Sequence, residues 1–237
     1  MTAFFFDFDN TLAALEAEVD WAASRVELEG YLRREGVGGA IFAEIPKGNL
    51  PLYEALRARL MEGAGAAAGA LAVGGLAHTN PTALLHGASA IIEAYELRGA
   101  ERAHALPGAT ELLRALRAAN SAVGIVTSNS SATIRRWLER QHPIVPVDVI
   151  VGRDAMLPLK PAPDSLLRAL ALSGAATRDA IFAGDSVESD AGAARAAGVR
   201  FYGIAKRAED RQCLFDGGAL QVFESPYALG NHLRLWR

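Results

Sequence analysis

From residue 109 onward, helical segments alternate with short runs of apolar residues, and this alternation constrains the fold more than any other feature of the sequence. The runs are continuous rather than interrupted by polar residues, which is typical of strands buried on both faces. They predict a parallel sheet covered by helices on both sides, which an earlier run at 3–8 is expected to join. The predicted strands are 122–126, 147–151, 180–183 and 201–204, and the predicted helices are 109–119, 131–141, 163–173 and 190–197.

Between the first apolar run and the second half of the chain, the pattern is helical throughout. Asn49 and Asn80 are each followed closely by proline, a combination that predicts the first turn of a helix. We therefore predict an α/β, Rossmann-like parallel-sheet core made of 1–13 and 105–237, with an α-helical domain, 14–104, inserted in it. The apolar residues at helical spacing in its first helix are Leu15, Val19, Ala22, Ala23 and Val26.

Composition excludes several classes of function. The net charge of −3 offers no basic field for nucleic acid, and Cys213 is the only cysteine, which excludes an internal disulfide. Acidic residues directly after the first apolar run argue against a signal peptide. The uncharged stretch 63–92 is mostly Ala and Gly and is interrupted by His78 to Pro81, so a membrane span is not expected. The single cysteine fits a reducing cytosol, so a cytoplasmic location is expected. The chain is expected to be a monomer or a homodimer, a choice that the sequence leaves open, and the stretch 63–77 is given no role.

Asp7 and Asp9 follow the first predicted strand. Their spacing of two places both carboxylates on one side of an extended chain, where they repel each other unless a cation lies between them or one is protonated. The alternative is an ordinary polar turn, since Asp and Asn10 are turn formers.

Hydroxyl residues follow the second strand, beginning with Thr127 and Ser128. Hydroxyls and backbone amides at a helix start can bind an anion. The alternative is that one of these residues simply caps the helix that begins near residue 131.

The third and fourth strands are followed by Lys160 and by Asp185 with Asp190. A lysine ammonium suits a crowded anionic site, and carboxylates on neighbouring strand ends suit Mg²⁺. A solvated loop lysine and a helix-capping aspartate are the plainer alternatives. Because open α/β sheets bind ligands at the carboxyl ends of their strands, all four segments are expected to share one crevice.

Taken together, Asp7-Phe8-Asp9-Asn10-Thr11, Thr127-Ser128, Lys160-Pro161 and Gly184-Asp185 with Asp190 resemble the motifs of the haloacid dehalogenase-like superfamily. The resemblance spans the α/β part of the chain. The helical insertion looks like the small α-helical cap of the C1 type, as in phosphoglycolate phosphatase and β-phosphoglucomutase.

The resemblance implies a role for each motif residue. Asp7 would attack phosphorus and form an aspartyl-phosphate, and Asp9 would protonate the leaving oxygen and later activate water. Lys160 would neutralise charge. The residues implied to bind phosphate are Thr127, Ser128 and Asn10, with either Thr127 or Ser128 as the motif hydroxyl. The residues implied to hold Mg²⁺ are Asp7, Asp9 through its backbone carbonyl, Asp185 and Asp190, the last in support of the metal or of Lys160.

The prediction for function is a Mg²⁺-dependent phosphatase that hydrolyses a small phosphorylated metabolite. Dehalogenases and phosphonoacetaldehyde hydrolases of the superfamily lack the aspartate that Asp9 matches, so they resemble the chain less. The alternatives are a phosphomutase of the β-phosphoglucomutase type and a catalytically silent binding scaffold. Lys47 is a candidate contact for the substrate's leaving group, with a solvated loop lysine as its alternative. The substrate itself stays open, and phosphoglycolate is a guess at the level of the family.

Overall fold

The computed structural model describes residues 2–63 and 80–236. The chain divides into two compact units, of which the first comprises Met1–Glu18 and Gly99–Arg237 and the second Val19–Arg98. The predicted insertion, 14–104, extends a few residues beyond the second unit at both ends.

The first unit is built on a six-stranded sheet in which every pair of neighbouring strands is parallel. The strand order is β3-β2-β1-β4-β5-β6, so β1 lies at the centre with β2 on one side and β4 on the other. The predicted parallel α/β fold is confirmed. The strands are β1 (Ala3–Phe6), β2 (Ala122–Val126), β3 (Val149–Val151), β4 (Ala180–Gly184), β5 (Arg200–Ile204) and β6 (Gln221–Phe223).

Residues on the central strands explain why the sheet forms here. All residues of β1, β2 and β4 are buried, as the continuous apolar runs predict. Phe5 of β1 pairs with Gly124 of β2 on one side and with Phe182 of β4 on the other. The Phe5 ring fills the space next to Gly124, where a Cβ would come within 2.6 Å of it. A larger residue at 124 would therefore push the central strands apart.

Helices of the first unit connect these strands. α7 packs against β2 and β3, α8 against β5, and α5 against β2 and α10. β6, α9 and α10 are not among the elements that the sequence predicts. The helices are α5 (Ala109–Ala118), α6 (Ser131–Glu139), α7 (Asp164–Ser173), α8 (Gly192–Ala197), α9 (Ala208–Asp216) and α10 (Pro226–His232).

The second unit is helical in its described part. Its helices are α1 (Trp21–Arg34), α2 (Ala40–Glu44), α3 (Asn49–Gly63) and most of α4 (Pro81–Ala100). The starts predicted at Asn49 and Asn80-Pro81 agree with α3 and α4. The predicted apolar face of the first helix is wrong, because α1 begins only at Trp21 and Val26 is 75% exposed. Leu28 and Leu32 are buried instead.

In the part of the chain that the structure describes, no helix has the length and apolar character that crossing a membrane requires. The Ala- and Gly-rich stretch 63–77 and His78 fall almost wholly outside the described residues, which resume at 80. The interpretation of that stretch stays a prediction.

Candidate active site

The candidate site begins where β1 and β4 end side by side. The backbone N–H of Asp7, the first residue after β1, donates to the carbonyl of Ala183 over 2.8 Å. Asp185 follows β4 directly. The sheet therefore delivers both aspartates to the same edge, as parallel strand ends require.

Lys160 reaches this edge from the loop before α7. Its Nζ lies 2.5 Å from Oδ1 of Asp7 and 2.5 Å from Oδ1 of Asp190. The lysine side chain is only 3% exposed, and Nζ lies 5.5 Å from the centre of the Phe182 ring. The plainer alternative, a solvated loop lysine, is thus excluded by burial and by two ion pairs.

Asp190 binds four groups at once, one of which is the Ser189 hydroxyl, 3.3 Å from its Oδ1. Its Oδ1 accepts from Lys160, and its Oδ2 accepts from the backbone N–H groups of Asp185, over 3.1 Å, and Ser186, over 3.0 Å. The carboxylate lies against Gly184, where an added Cβ would come within 2.5 Å of Cγ. Asp190 therefore holds both the end of β4 and the ammonium of Lys160.

One carboxylate oxygen from each of Asp7, Asp185 and Asp190 lies within 4.8 Å of the other two, an arrangement that can hold a metal ion. Three carboxylates and one ammonium sum to two negative charges. Burial raises the pKa of Asp7 to about 7, against the opposing effect of Lys160. Burial, with repulsion from Asp7 and Asp190, raises the pKa of Asp185 to about 8. A divalent cation would remove this repulsion, so the charge and donor set fit one.

The same carboxylates also raise the pKa of Lys160, which for an ammonium favours the charged form. Burial lowers the pKa of its ammonium, but the carboxylates of Asp190 and Asp7 more than reverse this effect, so the pKa is raised overall. The charged form of Lys160 is therefore favoured beside Asp7.

Asp9 lies on the same loop with its carboxylate turned to the backbone of the following turn. Its Oδ1 accepts from the N–H groups of Leu15 and Glu16, each over 2.9 Å. Burial raises the pKa of Asp9 to about 6, although these hydrogen bonds oppose the shift. A carboxyl with such a pKa can both donate and accept a proton near neutral pH.

Thr127 and Ser128 follow β2, the other neighbour of β1. The Thr127 hydroxyl is buried, donates to Oδ1 of Asn129 over 3.0 Å and accepts from the Asn129 N–H over 3.1 Å. Ser130, not Thr127 or Ser128, caps α6, since its Oγ accepts from the Thr133 N–H. The capping alternative therefore applies to neither motif residue.

Asn10 borders a cavity of about 950 Å³ that also reaches Asp185. The Asn10 side chain donates to Glu16 over 2.9 Å, and its backbone has a φ of +56°, in the left-handed region that Asn tolerates. The cavity continues along the ends of β5 and β6, and its other charged lining residues are Lys206, Arg207, Asp210 and Glu224.

A family model described as haloacid dehalogenase-like hydrolase matches residues 1–198. The chain belongs to the haloacid dehalogenase-like hydrolase family. A search of curated proteins finds no significant match to it.

Solved structures of similar proteins cover nearly the whole chain of this hydrolase. A hydrolase from Pseudomonas syringae is 28% identical, with 99% of this chain and 98% of that one covered and a TM-score of 0.63. A provisionally named phosphoglycolate phosphatase from Lactobacillus plantarum is 24% identical over all of both chains, with a TM-score of 0.60. A provisionally named β-phosphoglucomutase from Thermotoga maritima is 20% identical over 99% of both chains, also at 0.60. The last two show the fold alone.

Of the predicted site residues, the structure brings together Asp7, Lys160, Asp185 and Asp190. Lys47 belongs to the second unit, where it is exposed in the loop between α2 and α3. Its contact with a leaving group stays a prediction.

Thr11 is a further residue of the site, to which the sequence alone assigns no separate role. Its Oγ1 lies 3.4 Å from Oδ1 of Asp185. The sequence feature that could have identified Thr11 as a site residue is its place in the first motif, two residues beyond Asp9.

Proposed function

We propose that this hydrolase is a Mg²⁺-dependent phosphatase that cleaves small phosphate monoesters through an aspartyl-phosphate on Asp7. One observation carries the proposal: a buried lysine ammonium lies against the carboxylate of Asp7 at the end of the central strand. A carboxylate needs such a neighbour to approach an anionic phosphoryl group.

The size of the electrostatic repulsion shows why Asp7 needs a positive charge beside it. A carboxylate at ~4 Å from one phosphate charge is opposed by about 4 kcal/mol at an effective dielectric near 20. The Lys160 ammonium, held by both Asp7 and Asp190, and a bound Mg²⁺ would together offset a repulsion of this size. Because Asp190 fixes the ammonium before substrate arrives, little reorganisation is needed during the reaction.

The donor set suits Mg²⁺, which prefers carboxylate oxygens and keeps several waters. Asp7 and Asp185 would hold it, with the backbone carbonyl of Asp9. When bound, Mg²⁺ neutralises phosphoryl charge and orients the phosphoryl group. Both oxygens of Asp190 already accept hydrogen bonds, so we assign Asp190 to positioning Lys160 and the end of β4.

In the first step, a carboxylate oxygen of Asp7 forms a bond to phosphorus while the bond from phosphorus to the leaving oxygen breaks. Asp9 gives that oxygen a proton. In the second step, Asp9 takes a proton from water as the water attacks phosphorus and frees Asp7. The pKa of Asp9, raised by burial to about 6, serves both directions of proton transfer.

The phosphoryl oxygens would be bound by the loop after β2, through the Ser128 N–H and through the Thr127 hydroxyl, whose proton would turn from Asn129 to the phosphoryl group, with Asn10 at the edge of the site. The cavity beside Asp185, of about 950 Å³, is of the size that accommodates a small metabolite. We expect the leaving group to occupy it.

The test is hydrolysis of p-nitrophenyl phosphate by Asp7→Asn. We expect loss of turnover in this variant and normal turnover in Asp216→Asn, a matched change at an exposed aspartate of α9. EDTA is expected to abolish activity and Mg²⁺ to restore it. Turnover retained by Asp7→Asn would refute the nucleophile.

A phosphomutase would use the same residues, and one of the similar solved structures is the provisionally named β-phosphoglucomutase from Thermotoga maritima. The two functions differ in the fate of the phosphoryl group. A mutase interconverts sugar phosphate isomers without net phosphate release, whereas the proposed phosphatase releases inorganic phosphate from a panel of phosphorylated metabolites. Complete inactivity over that panel would favour a binding scaffold.

A further inference from the structure

Arg153 is a buried cation outside the motifs considered so far. It follows β3 by two residues and is 1% exposed. Its Nη1 donates to the carbonyl oxygen of Ser128 over 2.9 Å, and its own backbone N–H donates to the carbonyl of Asn129 over 2.8 Å. Arg153 thus binds two successive carbonyls of the loop after β2.

Asp154 extends this connection to the start of α6. Its Oδ1 accepts from the backbone N–H of Ser131 over 2.6 Å. The two segments are in close contact, because a Cβ on Gly152 would come within 2.5 Å of the Ser131 nitrogen and 2.7 Å of the Asn129 carbonyl oxygen. At least three hydrogen bonds therefore join residues 153–154 to residues 128–131.

The chemistry of a phosphoryl-binding loop explains why these contacts matter. Backbone N–H groups attract an anionic phosphoryl group, whereas carbonyl oxygens repel it. A loop that binds phosphate must therefore direct its carbonyls to other donors. Arg153 supplies such donors for Ser128 and Asn129, and burying its charge is costly unless it is hydrogen-bonded in this way.

We propose that Arg153 and Asp154 are positioning residues that set the conformation of the loop 127–131 for binding a phosphoryl group. They act through the loop and are not assigned any contact with substrate. The inference rests on the proposed function, in which Thr127 and Ser128 bind the phosphoryl oxygens.

The test compares the inhibition constant of inorganic phosphate in Asp154→Ala, Asp154→Asn and wild-type protein. Asp154 is exposed, so its variants are expected to fold. Loss of one charge-assisted hydrogen bond is expected to weaken phosphate binding about tenfold in Asp154→Ala. Asp154→Asn keeps an accepting oxygen and should recover most of the affinity. Asp179→Ala, at a half-buried aspartate directly before β4, is the matched control.

A second readout separates positioning from general damage to the fold. Stabilisation of the protein by Mg²⁺ alone, measured as a shift in Tm, should be the same in Asp154→Ala and wild type. The carboxylates proposed to hold Mg²⁺, those of Asp7 and Asp185, follow β1 and β4 and not β2 or β3. Arg153→Met, where it folds, should weaken phosphate binding at least as much as Asp154→Ala.

Unchanged phosphate inhibition in Asp154→Ala would overturn the inference, as would an equal loss of phosphate and Mg²⁺ binding. The failure of the proposed function gives a different result: wild-type protein would then neither hydrolyse phosphate monoesters nor be inhibited by phosphate.

Discussion

The Nζ atom of Lys160 lies 2.5 Å from Oδ1 of Asp7, although 153 residues separate them along the chain. This contact joins the end of the central strand to the loop before α7. Because Asp190 holds the same ammonium at the same distance, the lysine is fixed from two sides. The positive charge beside Asp7 reduces the electrostatic repulsion between its carboxylate and an approaching anionic group.

Replacing Lys160 by methionine should lower kcat for p-nitrophenyl phosphate by at least about 10²–10³-fold, the loss typical of one preorganised electrostatic contact. Lys160→Arg should not restore activity, because a planar guanidinium does not fit the space of a 3%-exposed ammonium. Steady-state kinetics on both folded variants is the measurement. Wild-type kcat in Lys160→Met would contradict the role given to this contact.

Gly184→Ala tests the placement of Asp190. The new Cβ would overlap the Asp190 carboxylate, so we expect displacement of Lys160 and a loss of activity on the order of 10²-fold. Gly39→Ala is the matched control, because no atom lies within 4 Å of its added Cβ and its φ is −62°. Kinetics and thermal unfolding of both variants provide the comparison. Equal activity in the two would mean that the position of Asp190 is unimportant.

Stabilisation by Mg²⁺ should depend on pH. The pKa values of Asp7 and Asp185 are raised to about 7 and about 8. In metal-free protein, their contribution to the free energy of unfolding is therefore full below about pH 4 and is lost as the pH rises through these values. Mg²⁺ competes with those protons, so its shift in Tm should be larger at about pH 8 than at about pH 5.

That comparison uses differential scanning calorimetry with and without Mg²⁺ at each pH. A 100-fold excess over Kd corresponds to about 2.7 kcal/mol, which is several degrees in a chain of this size. Asp185→Asn should remove most of the shift at the higher pH. A shift of the same size at both pH values would argue against ligation by these carboxylates.

Asp9→Asn should impair cleavage according to the leaving group. Proton donation matters most for alkoxide leaving groups, so single-turnover release of glycerol from glycerol phosphate should fall by about 10²–10⁴-fold. Release of p-nitrophenol, which leaves without a proton, should fall far less. Rapid-quench measurement of both substrates checks this, and equal losses would exclude Asp9 as the general acid.

The core of the fold and most of the site could be predicted because both depend on local patterns. Continuous apolar runs identify buried parallel strands, and parallel strands bring their carboxyl ends, with Asp7 and Asp185, to one edge. The burial of α1 could not be predicted in the same way. Val26 fits a helical apolar spacing as well as Leu28 does, and only packing of α1 against α3 decides between them.

The role of Arg153 was also beyond the sequence. Its guanidinium donates to the backbone carbonyl of Ser128, 25 residues earlier. Every residue has a carbonyl, so the contact leaves no mark in the residue types of the loop. Only an arginine two residues after a predicted strand, which neighbours the strand that the hydroxyl residues follow, could have suggested it.

Chemical trapping tests the central claim most directly. Acid quenching during turnover of a radiolabelled phosphate monoester, followed by peptide mapping, should find an acyl-phosphate label, removed by hydroxylamine, on the peptide that contains Asp7. Label on another residue, or full turnover with no labelled protein at any quench time, would contradict the account.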